Sequence, residues 1–269
     1  MTRKPAPPPA RFPVVLDRVA QAQPGTATLR PQRPLHEAAR DARRQHQPSG
    51  VGLDSQAVRA RLVERLRREL GAHDAVCRAM LAVPRHHFVD SALVTQAYED
   101  TSLPIGLQQT ISKPSVVARM LGLLIDGATA RAAGRLGRVL EIGTGCGYQT
   151  ALLAQLGTRV VSVERLQALH AKARAHLDAL GCRDVRLVWG DGRLGHAPNS
   201  PYDSIVAAAG GDDVPAAWID QLADGGRLVA PVQRPGGGQA LLVVDRRGDD
   251  CRRTLHEAVH FVPLKSGLG

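Results

Sequence analysis

The stretch VLEIGTGCGYQTALLAQ, residues 139–155, limits the possible folds more than any other part of the chain. An apolar run closes on an acid, Glu141, and glycine then recurs at every second position, 143, 145 and 147. An apolar segment with helical character follows. Glycine takes positive φ without steric cost and lets the backbone come close to a ligand. The pattern predicts a strand, a tight turn and a helix start.

The segments around this unit alternate. GRVLEIG, RVVSVE, DVRLVWGDG, YDSIVAAAG and GGRLVAPV read as strands, and GYQTALLAQLG, RLQALHAKARAHLDALG and VPAAWIDQL as helices between them. Apolar strands alternating with helices build a parallel sheet covered on both faces. QALLVVD and HEAVHFVPL then read as strands with little helix between them, so the sheet gains antiparallel strands at its C-terminal end. The expected fold class is α/β, a doubly wound, mostly parallel, Rossmann-like sheet over residues 137–269.

Before the sheet, residues 54–126 read as a helical region that covers the substrate. In DSQAVRARLVERLRRELG the four-residue spacing of Val58, Leu62, Leu66 and Leu70 predicts one apolar helical face, with Asp54 or Ser55 as N-cap and Gly71 at the end. A second helix is expected from about Asp74 to Val83, and a third, shorter one in DSALVTQAY. EDTSLPIGLQQTIS reads as a loop, and KPSVVARMLGLLID as a helix with Pro114 in its first turn and Ser112 near its N-cap. Residues 1–53 hold nine of the chain's 18 prolines, all within the first 50 residues, and no sustained apolar period, which reads as a disordered basic tail.

The net charge of +10 raises the question of a nucleic-acid partner. Of this, +6 falls in residues 1–53 and +4 in all that follows, so the folded part is only mildly basic, and nucleic acid is expected at most as a loose contact of the tail. The four cysteines, at 77, 146, 182 and 251, make no CxxC pair and no metal-like spacing. Scattered thiols without an export signal point to a reducing, cytoplasmic setting. No window has the length of a membrane span. No metal is expected, and no periodic seam argues against a monomer.

Three ligands use glycine turns of this kind. A P-loop needs a lysine that the turn lacks, which disfavours a nucleoside triphosphate. The dinucleotide fingerprint is GxGxxG, and Tyr148 stands where its third glycine belongs. An acid followed by GxGxG resembles the first motif of the class I S-adenosylmethionine-dependent methyltransferases. On that reading Glu141, Gly143, Thr144, Gly145 and Gly147 form the turn beside the donor. Glu164, 21 residues after Gly143 and at the end of the second strand, can accept from both ribose hydroxyls. Asp191 and Gly192, in the turn after the third strand, face the adenine; an acid there resembles the methyltransferase pattern. Glu141 remains open between positioning the ligand and bonding the turn. Cys146 reads as a small turn residue.

The acceptor is narrowed by what is missing. AAAGGDDVP after the fourth strand lacks the Asn/Asp-Pro-Pro-aromatic arrangement that adenine amines need, and no cysteine follows a proline as cytosine C5 chemistry requires. No cluster of His, Asp and Glu offers a base for a neutral hydroxyl. A carboxylate needs none of these, because it is ionised at neutral pH. It needs only donors that hold one oxygen in line, which Ser112 and the free N–H groups of a helix start can supply.

Across residues 55 to 269 the chain resembles the bacterial type of the protein-L-isoaspartate O-methyltransferase family. VPRHHFV, AYED, LPIGLQQTISKPSVVARML, VLEIGTGCGYQTALLA, SVER, GDG, GGRLVAPV and FVPLKSG stand in that family's order. The resemblance implies that Ser112 is the active-site serine, with Thr110 and Ile111 beside it in the acceptor pocket. It also implies methylation of the α-carboxylate of isoaspartyl residues in damaged proteins and peptides, followed by succinimide formation and partial return to aspartate. The acceptor would bind as an extended segment, through its backbone. Two departures stand out. Gln108 replaces the usual glycine, and AAGGDDVP brings Asp212 and Asp213 toward the expected cleft mouth, where they would disfavour acidic peptides. A related enzyme acting on RNA or a small carboxylic acid, and a non-catalytic protein-binding module, are the other readings at this level.

Overall fold

The computed structural model describes residues 56–269; the tail and the Asp54 or Ser55 cap lie outside the described residues. The helical region holds α1 (Gln56–Leu70), α2 (Asp74–Ala82), two 3₁₀ segments (Arg85–Phe88 and Ser91–Gln96), α3 (Pro114–Ile125) and α4 (Ala128–Ala133). Leu62, Val63 and Leu66 of α1 are buried, whereas Leu70 is 43% exposed and Val58 is only half-buried. A strict four-residue stripe drifts by about 40° per step around a helix of 3.6 residues per turn, so its far members leave the contact face and Val63 enters it. DSALVTQAY forms a 3₁₀ segment, not an α-helix, begun by Ala92 N–H donating to Asp90 Oδ1 at 3.2 Å.

The expected loop between the helices contains a hairpin, β1 (Leu103–Gly106) and β2 (Gln109–Ile111), paired antiparallel. Its turn residues Leu107 and Gln108 have φ of 51° and 58°. Two successive left-handed residues give the twist that a two-residue hairpin needs, and glycine or asparagine normally supplies them. Gln108→Gly is expected to relieve a left-handed cost of about 1 kcal/mol. Hydrogen exchange of the hairpin amides should slow by roughly fivefold; equal or faster exchange would show that the turn carries no such strain.

The sheet holds β3 (Arg138–Ile142), β4 (Arg159–Glu164), β5 (Val185–Trp189), β6 (Tyr202–Ala207), β7 (Leu222–Gln233), β8 (Gln239–Arg247) and β9 (Asp250–Val259), in the order β5-β4-β3-β6-β7-β8-β9. β5 to β7 run parallel, and β8 and β9 close the edge as antiparallel hairpins. Between the strands lie α5 (Tyr148–Leu156), α6 (Gln167–Ala179) and α7 (Ala216–Asp220). Consecutive strand residues serve opposite faces: Val139, Val160, Val206 and Val229 pack under α3 and α5, while Leu140, Val161, Ile205 and Leu228 pack with Trp218 on the other side. α7 is shorter than VPAAWIDQL suggested because Leu222 already belongs to β7. None of the described helices is long and apolar enough to cross a membrane.

From β3 the chain winds toward β4 and β5 on one side and toward β6 on the other. Ligands of open α/β sheets bind at the carboxyl ends of the strands beside such a reversal, and the glycine turn sits there.

Candidate active site

The three turn glycines all have positive φ: 87° at Gly143, 57° at Gly145 and 92° at Gly147. Their alternation is therefore a backbone requirement. A Cβ on Gly145 would also stand 3.3 Å from Ile105 Cδ1, so the β1–β2 hairpin closes down on the turn. Lys172 Nζ of α6 holds that hairpin by donating to Ile105 O at 3.2 Å. Tyr148 fills the position of the dinucleotide motif's third glycine. Its buried ring lies under the Arg85 guanidinium, 4.9 Å from the ring centroid, and 5.5 Å from the Phe88 ring. Burial pushes its phenol up to about 12.

Around the turn lies a cleft that opens to solvent, with about 1140 Å³ of space when the open mouth is counted in. It brings together Gly143, Thr144, Gly145, Glu164 and Gly192 with Thr110, Ile111 and Ser112. Gly147, Glu141 and Asp191 stand outside its lining. Glu164 is 5% exposed; its Oε2 accepts from Gly145 N at 2.9 Å and its Oε1 from Leu166 N at 2.9 Å. One carboxylate thus ties the turn after β3 to the turn after β4 while facing the cleft. Asp191 Oδ1 accepts from Arg193 N at 2.9 Å and Oδ2 from Gly267 N at 2.6 Å.

Glu141, one strand position from the cleft-lining Ile142, is 0% exposed and points beneath α5. It accepts from Thr150 Oγ1 at 2.5 Å, Ser162 Oγ at 2.7 Å and Gln149 Nε2 at 3.1 Å. Its bonds go to side chains of α5 and β4 and none to the turn backbone. Ser162 Oγ in turn pairs with Thr144 Oγ1 at 2.6 Å, so Glu141 reaches the cleft wall only through two hydroxyls. Burial raises its pKa to about 7, opposed by those three hydrogen bonds and aided by the Glu164 charge. The folded state therefore keeps a proton that the unfolded chain loses from about pH 4.5 upward. Stability falls as pH rises from there to about 7 and then levels, by an amount on the order of 3 kcal/mol. Glu141→Gln should abolish this component of the slope; urea midpoints from pH 5 to 8 that fall as steeply as in the parent would contradict it.

Ser112 is half-buried and lines the cleft, but it is not the helix cap. The N-cap of α3 is Lys113, which makes no side-chain capping bond. Asp100 Oδ1, fifteen residues before Ser115 in sequence, accepts from the Ser115 N–H at 2.8 Å and does the capping. The wall after β6 is Ala208 and Ala209. Asp213 is engaged by Arg253 of β9 and the Val214 N–H, and neither Asp212 nor Asp213 is among the residues that line the cleft.

Residues that pattern reading assigned no role also contribute. Val262, Pro263, Leu264 and Lys265, from the motif FVPLKSG, line the cleft, and Gln108 and Gln109 stand at its hairpin wall. Arg85, from VPRHHFV, is fully buried and braces the hairpin side, with Nε donating to Ala97 O at 2.8 Å; burial lowers its pKa. Among the described residues no group of three His, Cys, Asp or Glu side chains is placed to hold a metal ion.

The sheet order, the glycine turn at the reversal and the carboxylate at the end of the neighbouring strand define a Rossmann-like methyltransferase fold. A solved protein-L-isoaspartate O-methyltransferase superposes with a TM-score of 0.69 at 29% identity, over 78% of this chain and 67% of that one. A Plasmodium falciparum structure described as a putative protein-L-isoaspartate O-methyltransferase in complex with S-adenosyl-L-homocysteine shares the fold, with a TM-score of 0.66 at 23% identity over 77% of this chain and 98% of that one. The family model for protein-L-isoaspartate(D-aspartate) O-methyltransferase matches residues 57–269. Protein-L-isoaspartate O-methyltransferases of Methylibium petroleiphilum and Leptothrix cholodnii are 59% and 54% identical, each over 98% of this chain and over 98% and 94% of their own lengths. This chain belongs to the protein-L-isoaspartate(D-aspartate) O-methyltransferase family.

Proposed function

We propose that this protein transfers a methyl group from S-adenosylmethionine to the α-carboxylate of L-isoaspartyl residues in damaged proteins and peptides. The observation that carries this reading is the meeting of Ser112, the glycine turn and Glu164 in one cleft. A buried carboxylate at the end of β4 suits a ribose diol, Tyr148 stands where a dinucleotide turn has its third glycine, and the lysine of a triphosphate loop is missing from the turn. The residues present fit S-adenosylmethionine. The turn from Gly143 to Gly145 borders its amino-acid part, Glu164 its ribose, and the Asp191–Gly192 turn its adenine. Gly192 lines the cleft there, while Asp191 holds the turn and the C-terminal strap through Arg193 N and Gly267 N.

The bound donor supplies a sulfonium methyl group for in-line displacement. The protein's own task is positioning. An acceptor carboxylate is ionised at neutral pH and needs no base. The Ser112 hydroxyl donates to one acceptor oxygen and leaves the other directed at the methyl carbon. Thr110 and Ile111 form the acceptor side, and Ile105, Ile111 and Val117 exclude water from it. The test is methyl transfer to two peptides that differ only in isoaspartate against aspartate. Labelling of the isoaspartyl peptide alone is expected; equal labelling of both, or of neither, would overturn the reading.

A further inference from the structure

Residues 262–269 cross the carboxyl edge of the sheet from one side of the cleft to the other. At the β6 end, Gly210 N donates to Val262 O at 2.9 Å and Leu264 N donates to Gly210 O at 2.7 Å. At the β4–β5 end, Gly267 N donates to Asp191 Oδ2, Arg165 Nε to Gly267 O at 3.0 Å, and Gln167 N to Gly269 O at 3.0 Å. Lys265 directly follows the β6 anchor. The strap therefore holds its backbone between the two anchors, one residue past Leu264 and two residues before Gly267.

Three charged residues line the cleft: Glu164, Arg165 and Lys265. Both Glu164 oxygens accept backbone N–H groups, and Arg165 Nε is directed at Gly267 O. Lys265 is exposed and has no carboxylate partner among the described residues. Its ammonium stands at the rim of a cleft whose acceptor, on the reading above, is an anion. That acceptor loses its charge as the methyl group arrives. A cation beside it therefore favours the bound ground state over the transition state, and its removal raises KM without lowering kcat.

We propose that Lys265 is an acceptor-binding residue that draws the anionic carboxylate of the substrate peptide into the cleft. This rests on the function proposed above. The experiment uses the full chain, an isoaspartyl peptide at low and high salt, and S-adenosylhomocysteine affinity by calorimetry. At low salt, K265A is expected to raise the peptide KM about fivefold and K265E about twentyfold, with K265R near the parent. High salt should shrink these differences, while kcat does not fall and S-adenosylhomocysteine affinity holds. Unchanged KM in both K265A and K265E, from an enzyme that still selects isoaspartate, would overturn the assignment. Weaker S-adenosylhomocysteine binding in step with KM would overturn it too, by placing Lys265 on the donor. A parent enzyme that does not distinguish isoaspartate from aspartate would remove the reading itself, and the assignment with it.

Discussion

Ser112→Ala is expected to lower turnover on an isoaspartyl peptide about 100-fold while leaving thermal stability nearly unchanged. The size follows from losing the donor that holds one acceptor oxygen in line, where a displacement of about 1 Å can cost on the order of 100-fold. The small stability effect follows from the capping arrangement: the first turn of α3 is capped by Asp100 through Ser115 N, not by the Ser112 hydroxyl. Asp100→Ala should show the opposite balance and lose about 1 kcal/mol of stability. Steady-state kinetics with thermal melts of both variants separates the roles. A Ser112→Ala enzyme that keeps its rate and melts early would make Ser112 a structural residue.

Glu164→Ala is expected to weaken S-adenosylhomocysteine binding by at least about 100-fold, which corresponds to the loss of one charge-assisted hydrogen bond of ~3 kcal/mol. Two causes act together. The acceptor for the ribose hydroxyls goes, and Gly145 N and Leu166 N lose the carboxylate that binds the two turns to each other. Glu164→Gln keeps the volume and one carbonyl oxygen, so its loss should be intermediate. Calorimetry decides: an affinity within about twofold of the parent, with a lowered melting point, would reduce Glu164 to a structural tie.

The sheet could be read from the sequence because its central strands β3, β4 and β6, buried on both faces, appear as unbroken apolar runs and its turn shows three glycines that the backbone requires; the polar edge strand β9, at Asp250–Val259, lies earlier than HEAVHFVPL suggested. The turn and Glu164 share one cleft with Ser112, which the family resemblance singled out, while Asp191, the third acid in order along the sheet edge, stands outside its lining. What escaped reading depends on partners distant in sequence. The β1–β2 hairpin has Leu107 and Gln108 in its turn, with no glycine or asparagine to announce it. The cap on α3 comes from Asp100. Glu141 belongs to a hydroxyl network under α5, which only the packing of α5 on β4 creates. The strap that carries Lys265 is ordered by backbone bonds to Gly210 and Gln167 and by the Asp191 carboxylate, none of which leaves a periodic trace.

The most direct test of the central claim is a crystal structure of the protein with S-adenosylhomocysteine and an isoaspartyl peptide. The account predicts the ribose hydroxyls on Glu164, the sulfur beside the Gly143–Gly145 turn, and an acceptor carboxylate oxygen within hydrogen-bonding distance of Ser112 Oγ and facing that sulfur. A ribose away from Glu164, or a peptide whose isoaspartyl carboxylate lies outside the reach of Ser112, would contradict it.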